Sequence, residues 1–267
     1  MNLMDLAARA SRPSFVPFVY RLAARLEQVP EKELLESPTL LATALRNAHR
    51  LFGYDAVVSH FDLGLAADAC GDLPADRADQ VVHQGRWPVV LEGTRRLVKE
   101  LGQRAVIVGV LTGPLSLARQ LGDASVDRAA RAALALGRAY AEGGVGALVV
   151  AEERALSAAE EQVLGAALRP VWNLLAYYQI TPLVAAKGAP LGFAGGPPPP
   201  APRLLTLPES LFAGPAEAAA SLVERLVAEA GPGPLLLSTA WEVPPATAPE
   251  VLHAVMRAVT GGPARRE

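Results

Sequence analysis

The chain has 267 residues, 51% of them hydrophobic and 19% charged, with a formal net charge of -2. Such a length and apolar content support one α/β barrel or two smaller domains and exclude a disordered chain. The lack of basic excess argues against nucleic-acid binding, the lone Cys70 excludes an internal disulfide and reads as a packing residue, and every apolar run stops short of the roughly 18 residues of a membrane span.

At the N-terminus, MNLMDLAARASRP lacks the basic start, apolar core and cleavage site of a secretory signal, so a cytoplasmic location is expected. VPFVY, AVVSHF, AVIVGVL, ALVVAEE, TPLVAAKG, RLLTLP and PLLLST then come in turn as short β-rich runs, each adjoining a stretch of helical periodicity. This alternation predicts βα repeats and a parallel sheet. Helix starts are marked by Ser37-Pro38, by Gly113-Pro114, by a capping box of Ser157 with Glu160 and by another of Thr247 with Glu250.

In the second run, AVV leads into His60 and Asp62, which share a face if the strand continues. No GxGxxG follows the first strand and no GxxxxGK[ST] occurs, which disfavours an open nucleotide-binding sheet and favours a barrel. Between residues 188 and 202, GAPLGFAGGPPPPAP stands where a crossover helix is expected, and four consecutive prolines form neither helix nor central strand. One βα unit is therefore expected to be eroded there. An interdomain linker is the alternative, but the RLLTLP and PLLLST runs beyond it, with one helix each, are too small for an independent α/β domain.

Four segments resemble the uroporphyrinogen decarboxylase superfamily, which includes the decarboxylases of haem synthesis and the cobalamin-dependent methyltransferases. They are FGYDAVVSHFDLGLAADACG at 52–71, VLTGPLSLARQL at 110–121, GGVGALVVAEE at 143–153 and STAWEVPPATAPEVLHAVMRAV at 238–259, joined by RPSFVPFVYRLA at 12–23 in family order. The resemblance implies a single (β/α)8 TIM-like barrel over residues 1–262, irregular or with one βα unit eroded around 188–202, and a frayed tail over 263–267.

The departures from the family pattern bear on chemistry. The arginine segment that binds substrate carboxylates in the haem decarboxylases has no equivalent; Arg9, Arg12 and Arg21 are near but differently arranged. Where the methyltransferase branch has zinc ligands, this chain has Ala185, Lys187 and Trp241. Alanine and tryptophan offer no donor and lysine brings a positive charge, so no metal is expected.

Active sites of such barrels lie at the C-terminal ends of the strands. Tyr20, His60, Asp62, Glu152, Glu153, Lys187 and Glu242 fall at or just past predicted strand ends. Asp62 matches the family's catalytic carboxylate, which implies stabilisation of developing positive charge; capping a turn or pairing with Lys187 is its duller role. His60 is read as a proton donor or tuner of Asp62, against a core histidine. An iron site beginning at His60 and Asp62 lacks its second histidine, since His49 and His253 lie in helical patterns and His83 in a loop-like segment.

Lys187 reads as an anion anchor or Schiff-base lysine, against a partner for Glu152 or Glu242. Glu152 takes the family's acidic position, with Glu153 pointing away. The helix starts after Gly113 and after Pro244 to Thr247 offer N–H groups to an anion. Tyr20, Gly113, Glu152, Lys187 and Glu242 are thus the expected substrate-binding set, with Asp62 and His60 catalytic. Trp172, Tyr177 and Tyr178 are expected to pack on the barrel, with lining an interface as the alternative.

The reading is a metal-free, lyase-type enzyme needing no cofactor and acting on a small-molecule substrate. Its alternatives are a non-catalytic tetrapyrrole- or corrinoid-binding protein and a zinc-independent corrinoid methyltransferase. A corrinoid protein and a second copy of the chain are the partners the resemblance implies; nucleic acid and membrane are not expected.

Overall fold

The computed structural model of the chain describes residues 1–71, 73–123, 125–194 and 202–261. Two sheets form the centre. One holds β1 (Ser14–Phe18), β8 (Leu235–Glu242) and β7 (Arg203–Leu207), and the other holds β2 (Ala56–Val58), β3 (Val106–Thr112), β4 (Ala147–Glu152), β5 (Thr181–Ala186) and β6 (Gly192–Phe193), in those orders. Every pairing is parallel except β5 with the two-residue β6. Each residue of β1, β3 and β4 is buried, which is why those runs are continuously apolar rather than alternating.

Specific polar contacts join the sheets. The Phe15 carbonyl accepts from the Asp55 N–H at 2.9 Å and the Asp55 carboxylate accepts from the Phe15 N–H at 2.8 Å. Arg12 grips the same carboxylate through two nitrogens, at 3.0 and 2.8 Å. At the other junction the Leu191 N–H donates to Thr206 Oγ1 at 3.1 Å. The arrangement is consistent with an incomplete TIM-like barrel.

Helices α2 (Tyr20–Leu26), α3 (Pro38–Phe52), α4 (Leu65–Gly71), α5 (Trp87–Leu101), α6 (Pro114–Leu121), α7 (Asp127–Glu142) and α8 (Ala158–Tyr177) follow the first four strands, and α9 (Ala216–Ala230) and α10 (Pro249–Thr260) follow β7 and β8. Among the described residues no helix follows β5; the hairpin to β6 stands in its place, on the stretch where the prolines predict an eroded unit. Residues 195–201 of that stretch and the expected tail at 263–267 lie outside the described residues.

The N-terminal α1 (Leu3–Arg9) covers the end where strands begin. Asn2 caps it and donates from Nδ2 to the Gln179 carbonyl at 3.0 Å, and the Met1 carbonyl sits so close to Gly146 that a Cβ there would lie 2.2 Å away. With that end covered, the strand C-termini form the opposite face, where a cavity opens. Arg12, bound to Asp55 at the covered end, is structural.

Local signals fare unevenly. Ser37 caps α3 above Pro38, and the Ser157–Glu160 box caps α8. The Thr247–Glu250 box does not form, because the chain enters α10 one residue later, at Ala248, with Pro249 in the first turn. Cys70 is buried and unpaired, as a packing residue should be. Tyr177 is 82% exposed, against the expectation that it packs on the barrel. No helix among the described residues is long and apolar enough to cross a membrane.

Candidate active site

A cavity of about 330 Å³ opens at the strand C-termini, lined by Tyr20, Arg21, Glu31, Lys32, Phe61, Asp62, Leu63, Gly64, Glu153, Lys187, Trp241 and Glu242. Two other hollows, a groove of about 680 Å³ beside Arg95, Arg131 and Arg138 and one of about 400 Å³ along α8, lie on the outer helices. Neither gathers the carboxylates that end the strands, so the smaller mouth cavity is the candidate site.

Glu242 arrives there through an irregularity. Val16 pairs with Ser238 but Phe18 pairs with Glu242, so β8 carries two more residues than β1 between these pairings. Such a bulge re-aims the strand end. Ser238 Oγ donates to the Val16 carbonyl at 2.6 Å and Thr239 Oγ1 accepts from the Phe18 N–H at 3.1 Å, which satisfies backbone the bulge would leave unpaired.

The Glu242 side chain is 5% exposed and accepts from the Arg21 N–H at 2.5 Å, while Arg21 Nε lies 3.2 Å from its other oxygen and 2.8 Å from Glu31. Burial raises its pKa to about 8; the Arg21 N–H and guanidinium oppose this, and the charges of Glu31 and Asp62 add to it. Glu242 therefore holds a proton at neutral pH. Beside it Tyr20 donates to the Glu31 carbonyl at 2.6 Å, and burial together with the Asp62 charge pushes its phenol up, so it stays a neutral donor.

Asp62 lines the cavity from the loop after β2, which Thr112 Oγ1 fixes by donating to the Leu63 carbonyl at 2.8 Å. Asp62 Oδ1 accepts from the Gly64 N–H at 2.9 Å, so the turn-capping role and the cavity position coexist in one carboxylate. The expectation that His60 shares its face is corrected. β2 ends at Val58, alternation stops there, and the His60 ring is buried edge-on to Trp87 at 5.5 Å. His60 Nδ1 accepts from the Asp62 N–H at 3.3 Å, so the imidazole touches the site only through backbone.

Burial lowers the His60 pKa to about 4, the nearby Asp62 charge opposing, which keeps the ring neutral. In the unfolded chain it titrates near 6.5. Stability it supports is complete above that value and falls as pH drops toward 4, because the unfolded state takes up the proton first. Replacing His60 by phenylalanine is expected to flatten this part of the acid limb in urea titrations at pH 4 to 7.

Glu152 is placed differently from expectation. Its carboxylate is fully buried beneath the mouth, accepting from the N–H groups of Leu115 and Ser116 at 3.1 and 2.7 Å and from Ser116 Oγ, with Arg119 at 3.6 Å. It thus occupies the start of α6 that the sequence offers to a substrate anion. Burial raises its pKa and the Ser116 and Leu115 hydrogen bonds counter this. Gly113 serves the same contact, since a Cβ there would lie 2.1 Å from Glu152 Oε1. Glu153, expected to point away, lines the cavity, its N–H held by Ser116 Oγ at 2.8 Å.

Lys187 reaches the cavity, is exposed, and makes no ion pair within 4 Å among the described residues, with Glu152 and Glu242 engaged elsewhere. That exposure removes the desolvation a Schiff-base lysine requires. Trp241, marked in the sequence only as a lost zinc-ligand position, joins the site with Arg21, Glu31, Lys32 and Phe61, which were not expected there; Phe61 bridges Phe18 at 5.2 Å and Trp241 at 4.8 Å to make an apolar wall. Arg21, Phe61 and Trp241 lie close to strand ends, whereas Glu31 and Lys32 come from the helical turn after α2 and carry no such signal.

Zinc does not fit. Ala185 is buried and donorless, Lys187 is cationic, Trp241 is an aromatic wall, and no cluster of three or more His, Cys, Asp or Glu side chains suited to a metal occurs among the described residues. The cavity's volume lies near the low end of the roughly 300–1,000 Å³ of small-molecule pockets.

No family model and no curated protein matches the chain. Among solved structures, a methyltransferase from Methanosarcina mazei aligns with 98% of this chain and 99% of its own, with a TM-score of 0.77 and 18% sequence identity. The likeness is one of fold, and it extends over the whole chain.

Proposed function

We propose that the chain is a metal-free methyltransferase whose mouth cavity holds a small methyl-bearing substrate and whose Glu242 is the general acid. The observation that carries this reading is a carboxyl that is 5% exposed at the cavity edge beside Arg21 and Tyr20, where burial pushes its pKa up to about 8. Glu242 passes its proton to the substrate oxygen or nitrogen that bears the methyl group; an external nucleophile at the mouth then takes the methyl carbon, and the pair of the broken bond stays on the protonated leaving atom, which departs neutral. Asp62 stabilises the positive charge that this protonation places on that atom, and the Phe61 and Trp241 wall packs against the methyl group until it transfers. The whole-chain likeness to a methyltransferase supports the choice of reaction.

The test is a panel of small methyl ethers and methylamines, assayed with a thiol or with reduced free cobalamin as acceptor, with and without chelator. Methyl transfer insensitive to chelator is expected; transfer abolished by chelator and restored by zinc contradicts the reading. Asp62→Asn is expected to lower kcat about 10- to 100-fold with little change in KM, as for a group acting mainly in the transition state. Unchanged turnover removes Asp62 from the mechanism.

A decarboxylating lyase is the second reading, favoured by Arg21, Lys32 and Lys187 around the same cavity, which suit a substrate carboxylate. In that reaction Glu242 protonates the carbon that CO2 leaves. Release of CO2 without methyl transfer selects it. Binding of porphyrin or cobalamin, seen as a spectral shift with no turnover of any substrate, selects a non-catalytic binding protein.

A further inference from the structure

Behind the mouth, four fully buried polar groups have no hydrogen-bonding partner among the described residues: Ser59 Oγ, His60 Nε2, Trp87 Nε1 and the Tyr140 hydroxyl. They gather where β2 gives out. The Val106 N–H donates to the Asp55 carbonyl at 3.1 Å and the Val108 carbonyl accepts from the Ser59 N–H at 2.9 Å, so these alternate residues of β3 face β2. Val110 is the next on that edge, and there the chain has already turned into the loop that carries Asp62.

The buried groups converge on Val110. Burial depresses the His60 pKa and raises that of Tyr140; the Asp62 charge and the Val110 backbone oppose this at His60, and the Ser59 hydroxyl and the same Val110 backbone oppose it at Tyr140. Trp87 stands between the two rings, edge-on to His60 at 5.5 Å and to Tyr140 at 6.1 Å. Gly109 admits the tyrosine ring beneath β3, since a Cβ there would lie 2.9 Å from two of its carbons. Phenylalanine would fill the same room, so packing does not account for the hydroxyl.

The other side of His60 meets the site. Its Nδ1 accepts from the Asp62 N–H at 3.3 Å, which leaves the proton of the neutral ring on Nε2, pointing back into the buried cluster. Buried donors are almost always satisfied, and polar groups that converge without touching are the setting of a bridging water with two to four partners.

We propose that Tyr140 and Ser59 are positioning residues for Asp62: a buried water at the Val110 edge ties their hydroxyls to the His60 Nε2–H, and His60 in turn holds the Asp62 N–H. The water accepts from His60 and donates to the Val110 carbonyl and to a hydroxyl oxygen. A side chain on α7, behind the sheet, thereby sets the loop at the mouth. Its effect on turnover rests on the role proposed for Asp62; its effect on the loop does not.

The test joins imidazole 15N NMR with backbone amide exchange. In the wild-type protein the His60 ring proton is expected on Nε2, and an Nδ1–H tautomer overturns the proposal. Tyr140→Phe is expected to speed exchange of the Asp62 and Gly64 N–H groups about tenfold while amides in the middle of β3 and β4 keep their rates, and Ser59→Ala is expected to act in the same direction. Asp62 exchange unchanged in both variants, or raised equally across the sheet, overturns it. In turnover, Tyr140→Phe is expected to lower kcat about threefold to tenfold at constant KM, and to have no further effect once Asp62→Asn is present. An equal loss with and without Asp62 shows a merely structural role. Should no substrate turn over, the reading of the reaction fails, while the tautomer and the exchange rates still decide this proposal.

Discussion

Replacing Glu242 by glutamine is expected to lower turnover by about 10²- to 10⁴-fold, the usual worth of a positioned general acid. Glutamine keeps the shape and still offers a carbonyl oxygen to the Arg21 N–H, so the loss reports the proton and not a collapsed site. Wild-type turnover should fall as pH rises through about 8, where Glu242 ionises. Stability should carry the same signature. A carboxyl raised from 4.5 to about 8 by burial favours the folded state fully below 4.5, and that contribution is lost progressively as pH climbs to 8. The glutamine variant should therefore melt higher than wild type at pH 9 and not at pH 4. Turnover that survives the substitution would remove Glu242 as the acid.

Truncating Glu152 to alanine is expected to cost about 3 to 5 kcal/mol, because it orphans two backbone N–H groups and a hydroxyl in a site with no exposure and leaves Arg119 without that partner. For a chain of this size that corresponds to a fall in Tm of roughly 6 to 20 °C. Gly113→Ala should reproduce much of it, since the added methyl would occupy the place of Glu152 Oε1 and drive the carboxylate off the start of α6. Thermal denaturation measures both. A shift of less than about 2 °C for either, well under the cost of an unsatisfied buried group, would show that the cap is dispensable.

Strands and most helix starts were legible because their causes are local: continuous apolar runs, a serine before a proline, a serine three residues before a glutamate. That no helix follows β5 among the described residues fits the expectation drawn from the consecutive prolines, which admit no helix. The site was legible as a set of strand ends and less so as a geometry. Tyr20, Asp62, Lys187 and Glu242 do meet at the mouth. Glu152 and Glu153 exchange their expected roles because Gly113, at the N-cap of α6 after β3, lets one carboxylate slide under α6, a contact between distant segments that spacing does not encode. His60 misleads because alternation was carried past the end of β2, where hydrogen bonds from Thr112 and to Asp62 shape a loop instead. The proton on Glu242 depends on burial by a bulge that no short pattern announces.

Infrared difference spectroscopy between wild-type protein and Glu242→Gln, taken across pH 5 to 10, tests the protonated carboxyl directly. A protonated-carboxyl band, absent from the variant, is expected to persist at pH 7 and to titrate away near 8. A Glu242 already ionised at pH 6 would contradict it.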